Sequence, residues 1–274
     1  MVTSMAIAFV TGAARPRGIG RAVALQLARS GHDVACLDIA RPLPGGGGHA
    51  TATGSDLDEV VAEIKSLGRR ALALRADVSD EAQVEAAVQT ASDELGPIGL
   101  VANVAGGSGF GFGIGPLVSI PADEFRRVLE VNLIGTWLVS RACANRMISA
   151  GIRGRICNTS SQASKAGFVH MGAYSAAKAG INLLTQVLAK ELGPQGISVN
   201  AVCPGTVDTE ATRFVAQHLT GGPEGVREYI EREIPLRRIQ TPEEIASAIG
   251  WLLSEDAAGV TGEAVNVSAG QTMV

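Results

Sequence analysis

Three side chains between Cys157 and Ile181, in the stretch CNTSSQASKAGFVHMGAYSAAKAGI, could pass a proton among themselves: Ser161, Tyr174 and Lys178. Tyr174 and Lys178 are four residues apart, and on a helix that spacing places two Cβ atoms on one face, about 5–6 Å from each other. An ammonium beside a phenol favours the phenolate, so Lys178 is expected to lower the Tyr174 pKa toward a value at which the phenol works as general acid and base. Ser161 lies thirteen residues before Tyr174, at the end of the apolar strand RICNTS, from which a loop can fold its hydroxyl back toward the phenol. Ser160 competes for that place, and the spacing favours Ser161. Such a trio suits proton transfer to or from an alcohol or carbonyl oxygen. A Tyr-x-x-x-Lys pair also occurs on many helix surfaces, so the surrounding elements decide its meaning.

Those elements begin with MAIAFVT, a short continuous apolar run that reads as a strand buried on both faces of a parallel sheet. A helix, GIGRAVALQLARSG, opens at about Gly18 and stops at Gly31, and a second strand, DVACLD, ends at Asp38. Between strand and helix runs the turn TGAARPRGIG, with Gly12, Gly18 and Gly20. Glycines there permit a tight turn and close approach of backbone to a pyrophosphate, and the helix N-terminus offers free N–H groups to it. An acid at the end of the second strand, Asp38, is placed to accept from an adenosine ribose diol and to repel a 2′-phosphate, which favours NAD over NADP. Arg15, Arg17 and Arg41 argue the other way, since a guanidinium can hold that phosphate.

Strands and helices then alternate along the chain, as in a Rossmann-like, doubly wound parallel sheet of three α/β/α layers in a single domain. Residues 41–55, RPLPGGGGHATATGS, read as a loop; DLDEVVAEIKSLG as a helix; RRALALRADV as a strand; and SDEAQVEAAVQTASDELG as a helix capped by Ser79. Asp77 and Asn103 fall at carboxyl ends of strands, where open α/β sheets bind ligands, and either could equally be a turn residue. GGSGFGFGIG, 106–115, is a second glycine-rich loop, either a wall of the substrate pocket or a surface loop. One helix follows Pro121 through DEFRRVLEVNLIGTWLVSRACANRMI, with Asn132 as a polar residue in its apolar stripe that needs a hydrogen-bond partner, which could be a catalytic water. His170 lines the pocket or is an exposed loop histidine, and Trp137 serves helix packing or a subunit contact. The strand ISVNAVC is followed by PGTVDTEAT, and TGGPEGVREYIEREIP reads as a helix inside an insertion, a lid spanning about 208–235. Thr241, Pro242 and Glu244 form a capping box that starts a helix running to about Ser254, and GEAVNVSAG is a last strand and turn.

Composition narrows the function classes. Hydrophobic residues make up 46% of the 274 but aromatics only 4%, and 34 are glycine, so the core is built of Ala, Val, Leu and Ile with close backbone approaches. A net charge of −4 shows no basic excess, which argues against a nucleic-acid partner. Cys36, Cys143, Cys157 and Cys203 are scattered, with no His cluster at ligand spacing, so neither a zinc or other metal site nor a disulfide framework is expected. The N-terminus lacks a basic region and cleavage site, and no apolar run approaches a membrane span, so a soluble cytoplasmic protein is expected, with Met5 an alternative start to Met1.

Together these segments resemble the short-chain dehydrogenase/reductase family over nearly the whole chain: TGAARPRGIG, Asp38, ADV at 76–78, NVAG at 103–106, VNLIG at 131–135, TSS before Tyr174-Ser-Ala-Ala-Lys178, PGTVDT at 204–209 and the closing VTGEAVNVSAG. The resemblance implies that Tyr174 is the acid/base, that Ser161 polarises the substrate oxygen, that Lys178 binds the nicotinamide ribose, and that Asn132 holds a water linking Lys178 to solvent. It implies cofactor contacts by Gly12, Arg17, Gly18, Ile19 and Gly20 at the pyrophosphate, by Asp77 and Val78 near adenine, and by Asn103, Ala105 and Gly106 near the adenosine ribose. Pro204, Gly205, Val207 and Thr209 would meet the nicotinamide end. The implied reaction interconverts a secondary alcohol and a ketone with NAD, in a homotetramer or homodimer. Five residues between Gly12 and Gly18, where three are usual, resemble the enoyl-reductase branch, but that branch lacks the Ser plus Tyr-x-x-x-Lys spacing. Val104 stands where a second Asn is common, and Ser268-Ala269 where Asp-Gly is common. Two other readings stay open: an NADP-dependent 3-oxoacyl thioester reductase, and a dinucleotide-binding sensor without turnover.

Overall fold

The computed structural model describes residues 6–41, 52–213 and 221–274. Its centre is a seven-stranded sheet in which every pairing is parallel. The strands are β1 (Ile7–Thr11), β2 (Val34–Asp38), β3 (Ala71–Arg75), β4 (Ile98–Asn103), β7 (Arg155–Thr159), β8 (Ser198–Pro204) and β9 (Ala264–Val267), in the order β3-β2-β1-β4-β7-β8-β9. The chain winds outward from β1 to β3, then returns to the other side of β1 with β4. That reversal opens a crevice at the carboxyl ends of β1 and β4.

Alternation within the strands explains the three layers. In β1, Ala8 and Val10 face a core containing α1 (Ile19–Arg29), α2 (Gly54–Ser66) and α8 (Pro242–Leu252). Ile7 and Phe9 face the opposite core, with α3 (Glu81–Leu95), α5 (Gly135–Ser149) and α6 (Gly172–Leu192). Phe9 is fully buried, so its replacement by Ala costs about 3–5 kcal/mol. Among the described residues no helix is long and apolar enough to cross a membrane.

Local chemistry sets the element ends, with some departures from expectation. The capping box of Thr241 and Glu244 is present at α8. The helix α3 is capped by Asp80, whose carboxylate accepts from the Gln83 N–H, and not by Ser79, which instead donates to Asp77. Residues 42–51 of the expected loop lie outside the described residues, and its end is helical: α2 starts at Gly54 with Thr53 and Asp56 forming a capping box. The helix expected after Pro121 is three pieces, α4 (Ala122–Leu129), a π-helical turn (Glu130–Ile134) and α5. Such turns concentrate at functional sites, and this one carries Asn132. The glycine-rich loop 106–115 forms a small ladder of β5 (Gly109–Phe110) and β6 (Gly113–Ile114). In the lid segment 208–235, residues 214–220 lie outside the description, and α7 (Pro223–Glu233) opens on Pro223.

Candidate active site

The crevice at the reversal is a cleft of about 890 Å³, within the range of small-molecule sites. At one end it is lined by Gly12, Gly18, Ile19 and Gly20 of the first turn, with Asp38 at the tip of β2 and Asp77 and Val78 after β3. Ala105 and Gly106 line its middle, and Ser161, Tyr174, Pro204, Gly205, Val207 and Thr209 its far end. Six separate carboxyl-terminal loops thus converge on one space, as the parallel sheet requires.

The first turn is shaped for a backbone-bound ligand. A Cβ on Gly20 would sit 2.1 Å from the Gly12 carbonyl oxygen, so only glycine lets α1 start so close to β1. Gly18 is the N-cap of α1 and supplies no side-chain cap, so first-turn N–H groups are left for a ligand. Gly106, at φ +144°, is hemmed in likewise, with a Cβ there lying 2.6 Å from Asn132 Oδ1. Thr11 Oγ1 accepts from both the Val104 and Ala105 N–H at 3.0 Å and fastens the loop after β4 to β1. These residues fit a dinucleotide: an uncapped helix start, an approach only glycine permits, and a carboxylate at the neighbouring strand end. Asp38 also braces the turn, since its Oδ2 accepts from the Ala14 N–H and its Oδ1 from the Ala40 N–H, each at 3.0 Å.

Two of the three arginines are committed elsewhere. Arg17 does not line the cleft; its guanidinium reaches Asp208 at 3.2 Å, joining the glycine turn to the loop after β8. Arg41 faces Asp77 at 3.5 Å. Arg15 lines the cleft near Asp38, partly desolvated. Asp77 also does the work of a turn residue, its Oδ1 accepting from the Ser79 N–H and hydroxyl. Asn103 departs from its expected place near a ribose: its amide is buried and donates to Ser140 Oγ at 2.8 Å and Asn158 Oδ1 at 2.9 Å. Asn158 donates on to Thr185, so Asn103 belongs to a network beneath the site that ties β4, α5, β7 and α6.

At the far end Tyr174, on the first turns of α6, stands beside Ser161, whose hydroxyl opposes the upward push of burial on the phenol. Ser161 also accepts from the Ala163 N–H at 3.1 Å, which fixes its hydroxyl over the end of β7. Ser160 points away, its hydroxyl donating to the Lys178 carbonyl at 2.9 Å. Lys178 Nζ lies 5.4 Å from the Tyr174 ring centroid and donates to the Thr159 carbonyl at 2.7 Å. The spacing therefore brings amine and phenol together as expected, but the electrostatic expectation fails. Burial pushes Tyr174 up to about 12 and Lys178 down to about 7, because in a dry site loss of hydration outweighs what one neighbour supplies. Asn132 is satisfied by backbone: its Nδ2 donates to the Gly107 and Val128 carbonyls and its Oδ1 accepts from the Gly107 N–H. His170 is exposed, with φ 68°, and does not line the cleft. Phe112, buried and lining it, answers the open question about the second glycine loop.

The family model described as enoyl-(acyl carrier protein) reductase matches residues 12–272. A short-chain dehydrogenase/reductase of Armillaria gallica is 37% identical over 96% of this chain and 95% of its own. The chain belongs to the short-chain dehydrogenase/reductase family, a family of oxidoreductases. An uncharacterized NAD-dependent oxidoreductase of Mycobacterium tuberculosis is 35% identical over 96% of this chain and 94% of its own. The solved carveol dehydrogenase of Mycobacterium avium in complex with NAD superposes with a TM-score of 0.90 at 29% identity, covering 98% of both chains.

Thr11, Asn158 and the pair Tyr229 and Gln271 carry no motif in the sequence. A polar residue inside an apolar strand, as in RICNT, was the available signal for Asn158. Tyr229 on α7 lines the cleft, and its hydroxyl accepts from Gln271, 42 positions away, a partnership no local pattern announces.

Proposed function

We propose that this short-chain dehydrogenase/reductase uses NAD to interconvert a secondary alcohol and a ketone, with Tyr174 as the general acid and base. The observation that carries the reading is the meeting of Ser161, Tyr174 and Lys178 at the end of the cleft that the glycine turn opens, with Lys178 Nζ 5.4 Å from the Tyr174 ring centroid. When bound, NAD supplies the acceptor or donor of hydride. Gly12, Gly18, Ile19 and Gly20 hold its pyrophosphate, Asp38 its adenosine ribose, and Val207 and Thr209 its nicotinamide end. Ser161 donates to the substrate oxygen, and Tyr174 gives that oxygen its proton in reduction and takes it in oxidation. Lys178 binds the nicotinamide ribose and is the amine nearest the phenol. Asn132 positions Gly107, and through it the loop after β4, against the same ribose.

NAD is favoured over NADP by Asp38 at the tip of β2 and by the engagement of Arg17 and Arg41 with Asp208 and Asp77. Reduction of an enoyl double bond, which the family model's description names, is disfavoured by a serine hydroxyl on the tyrosine, which suits a carbonyl oxygen. A homotetramer is supported by exposed apolar side chains, Trp137 on α5 and Leu183 and Val187 on α6; sedimentation of the purified protein tests it.

The test of the reaction is nicotinamide absorbance with NAD and NADP in parallel, against secondary alcohols, polyols, hydroxy acids and hydroxyacyl thioesters. NAD-linked turnover is expected, falling by about 100-fold or more in Tyr174→Phe with NAD affinity kept. Turnover that survives Tyr174→Phe would sink the assignment, and turnover with NADP alone would overturn the role of Asp38.

A further inference from the structure

We propose that the substrate is an uncharged secondary alcohol with a compact hydrocarbon body, alicyclic or branched, and that Tyr229 on α7 is a specificity-determining residue for it. The inference rests on the reading of Tyr174 as acid and base, and deepens it by naming what the far end of the cleft accepts.

The helix α7, sequence PEGVREYIERE, is charged on most of its surface but carries Val226, Tyr229 and Ile230 at spacings of three and four, one face of a helix. That face is turned into the cleft. Phe112, Ile114 and Met171 line the same cleft as Ser161 and Tyr174, and Phe112 and Tyr174 belong to one apolar cluster. The chamber therefore brings hydrocarbon from α7 and from the second glycine loop into the same space as the Ser161 and Tyr174 hydroxyls.

Charge is missing where a charged substrate would need it. At this end the only ionised groups among the described lining residues are Asp208 and Arg213, and these bind each other, with Arg213 Nη2 donating to Asp208 Oδ2 at 2.7 Å. A carboxylate or thioester-linked phosphate would meet at this end a guanidinium already held by Asp208, the other lining cation, Arg15, lying by Asp38. A polyol would set hydroxyls against Val226, Ile230 and Ile114, whose side chains offer no hydrogen bond, and an unpaired buried hydroxyl opposes binding. Hydrocarbon fills the same space with no such penalty.

Tyr229 is the polar group on the lid side of this chamber. Gln271 Nε2 donates to its oxygen at 2.5 Å. Gln271 Oε1 in turn accepts from the Thr206 hydroxyl at 2.9 Å and from the Thr206 N–H at 3.2 Å. The ring is thus fixed to the loop just after β8, the loop that continues into Val207 and Thr209. Because Gln271 donates, the Tyr229 O–H proton stays available for one acceptor on the substrate, and no described residue takes it. The chamber accepts a hydrocarbon body with at most one further oxygen, on the side away from the carbinol.

The full-length enzyme with NAD is assayed against alcohols of matched carbon number: an alkyl-substituted cyclohexanol, a branched 2-alkanol, a polyol, a 3-hydroxy acid and a 3-hydroxyacyl thioester. The hydrocarbon alcohols are expected to exceed the others in kcat/KM by about 100-fold or more. Ile230→Asp is expected to remove that preference while circular dichroism and NAD affinity stay as in the parent. Tyr229→Phe is expected to raise KM several-fold for a cyclohexanol bearing a second, acceptor oxygen, with a smaller change in kcat. A Tyr174-dependent preference for polyol, hydroxy acid or thioester overturns this inference and leaves the dehydrogenase reading standing. If no alcohol is turned over, the dehydrogenase reading fails, and binding to the NADH complex, followed by nicotinamide fluorescence, still decides the chamber. Binding of 4-alkylcyclohexanone that Ile230→Asp abolishes upholds the hydrocarbon chamber, and no binding overturns it. A fall in kcat with unchanged KM in Tyr229→Phe overturns its role in specificity.

Discussion

The two ends of the cleft are built from different material. The dinucleotide end is made of main chain: Gly12, Gly18 and Gly20, the uncapped start of α1, and a carboxylate whose oxygens accept backbone N–H groups. The substrate end is made of side chains brought from four distant segments, Phe112 and Ile114, Met171, Asp208 with Arg213, and Val226, Tyr229 and Ile230. Backbone geometry leaves no room for exchange, whereas side chains on a helix face can be swapped. One end should therefore break under a single methyl group while the other merely retunes.

The sharpest way to break that contrast is Gly20→Ala. Its Cβ would meet the Gly12 carbonyl at 2.1 Å, so NAD affinity is expected to fall on the order of 100-fold, with a lower melting temperature. Calorimetric titration measures it, and an unchanged affinity would show that the turn can give way. At the other end, Val226→Ala removes two methyl groups and is expected to cost only about tenfold or less in kcat/KM.

Lys178 stands where the two ends meet, and its burial predicts a pH dependence. With a folded pKa of about 7 against an ordinary 10.5, the cost of the buried ammonium is fully present below pH 7. Between those values the unfolded chain binds a proton that the folded chain has shed, so stability rises with pH across the window. Tyr174, raised from 10.0 to about 12, has the opposite sign: stability falls as pH climbs from the first value toward the second. Lys178→Met is expected to flatten the rise in the ligand-free protein, as followed by urea unfolding at successive pH values; an unaltered slope would mean that the amine stays hydrated.

Smaller effects sharpen the comparison at the dinucleotide end. Asp38→Ser removes both the ribose acceptor and a brace of the turn, so NAD affinity is expected to fall about tenfold and the ratio of NADP to NAD efficiency to rise. Arg17→Ala cuts the tie between the glycine turn and Asp208, a half-exposed pair worth at most about 1 kcal/mol. Dissociation of NADH, read by stopped-flow fluorescence, is expected to quicken by only a few-fold.

Much of the dinucleotide end was legible in the chain because its determinants are local. The order strand, glycine turn, helix, strand, acid lies within the first forty residues, and each step follows from backbone freedom or apolar period. The Ser161, Tyr174 and Lys178 set was legible for a similar reason, since a helix converts a spacing of four into a neighbour. Less local features were not. The cap of α3 fell on Asp80 although Ser79 is an equally good capping residue, a choice made by where the helix frame starts. The break of the long helix into a π turn at Asn132 leaves no mark in an apolar stripe. Asn103 looked like a ligand at a strand end and is an internal donor, because Ser140 and Asn158 arrive beside it from other elements.

The sequence by itself determined the doubly wound sheet, the family, and the place of the glycine turn, Asp38 and Tyr174 along the cleft, since glycine, helix period and strand burial act over a few residues. Tertiary structure alone decided how those residues behave. Burial reversed the expected pKa shift of Tyr174, and the convergence of distant loops paired Arg17 with Asp208 and seated Tyr229 on Gln271. Desolvation and long-range pairing depend on what surrounds a group in space, and neighbours in space are what a parallel sheet assembles from the far ends of the chain.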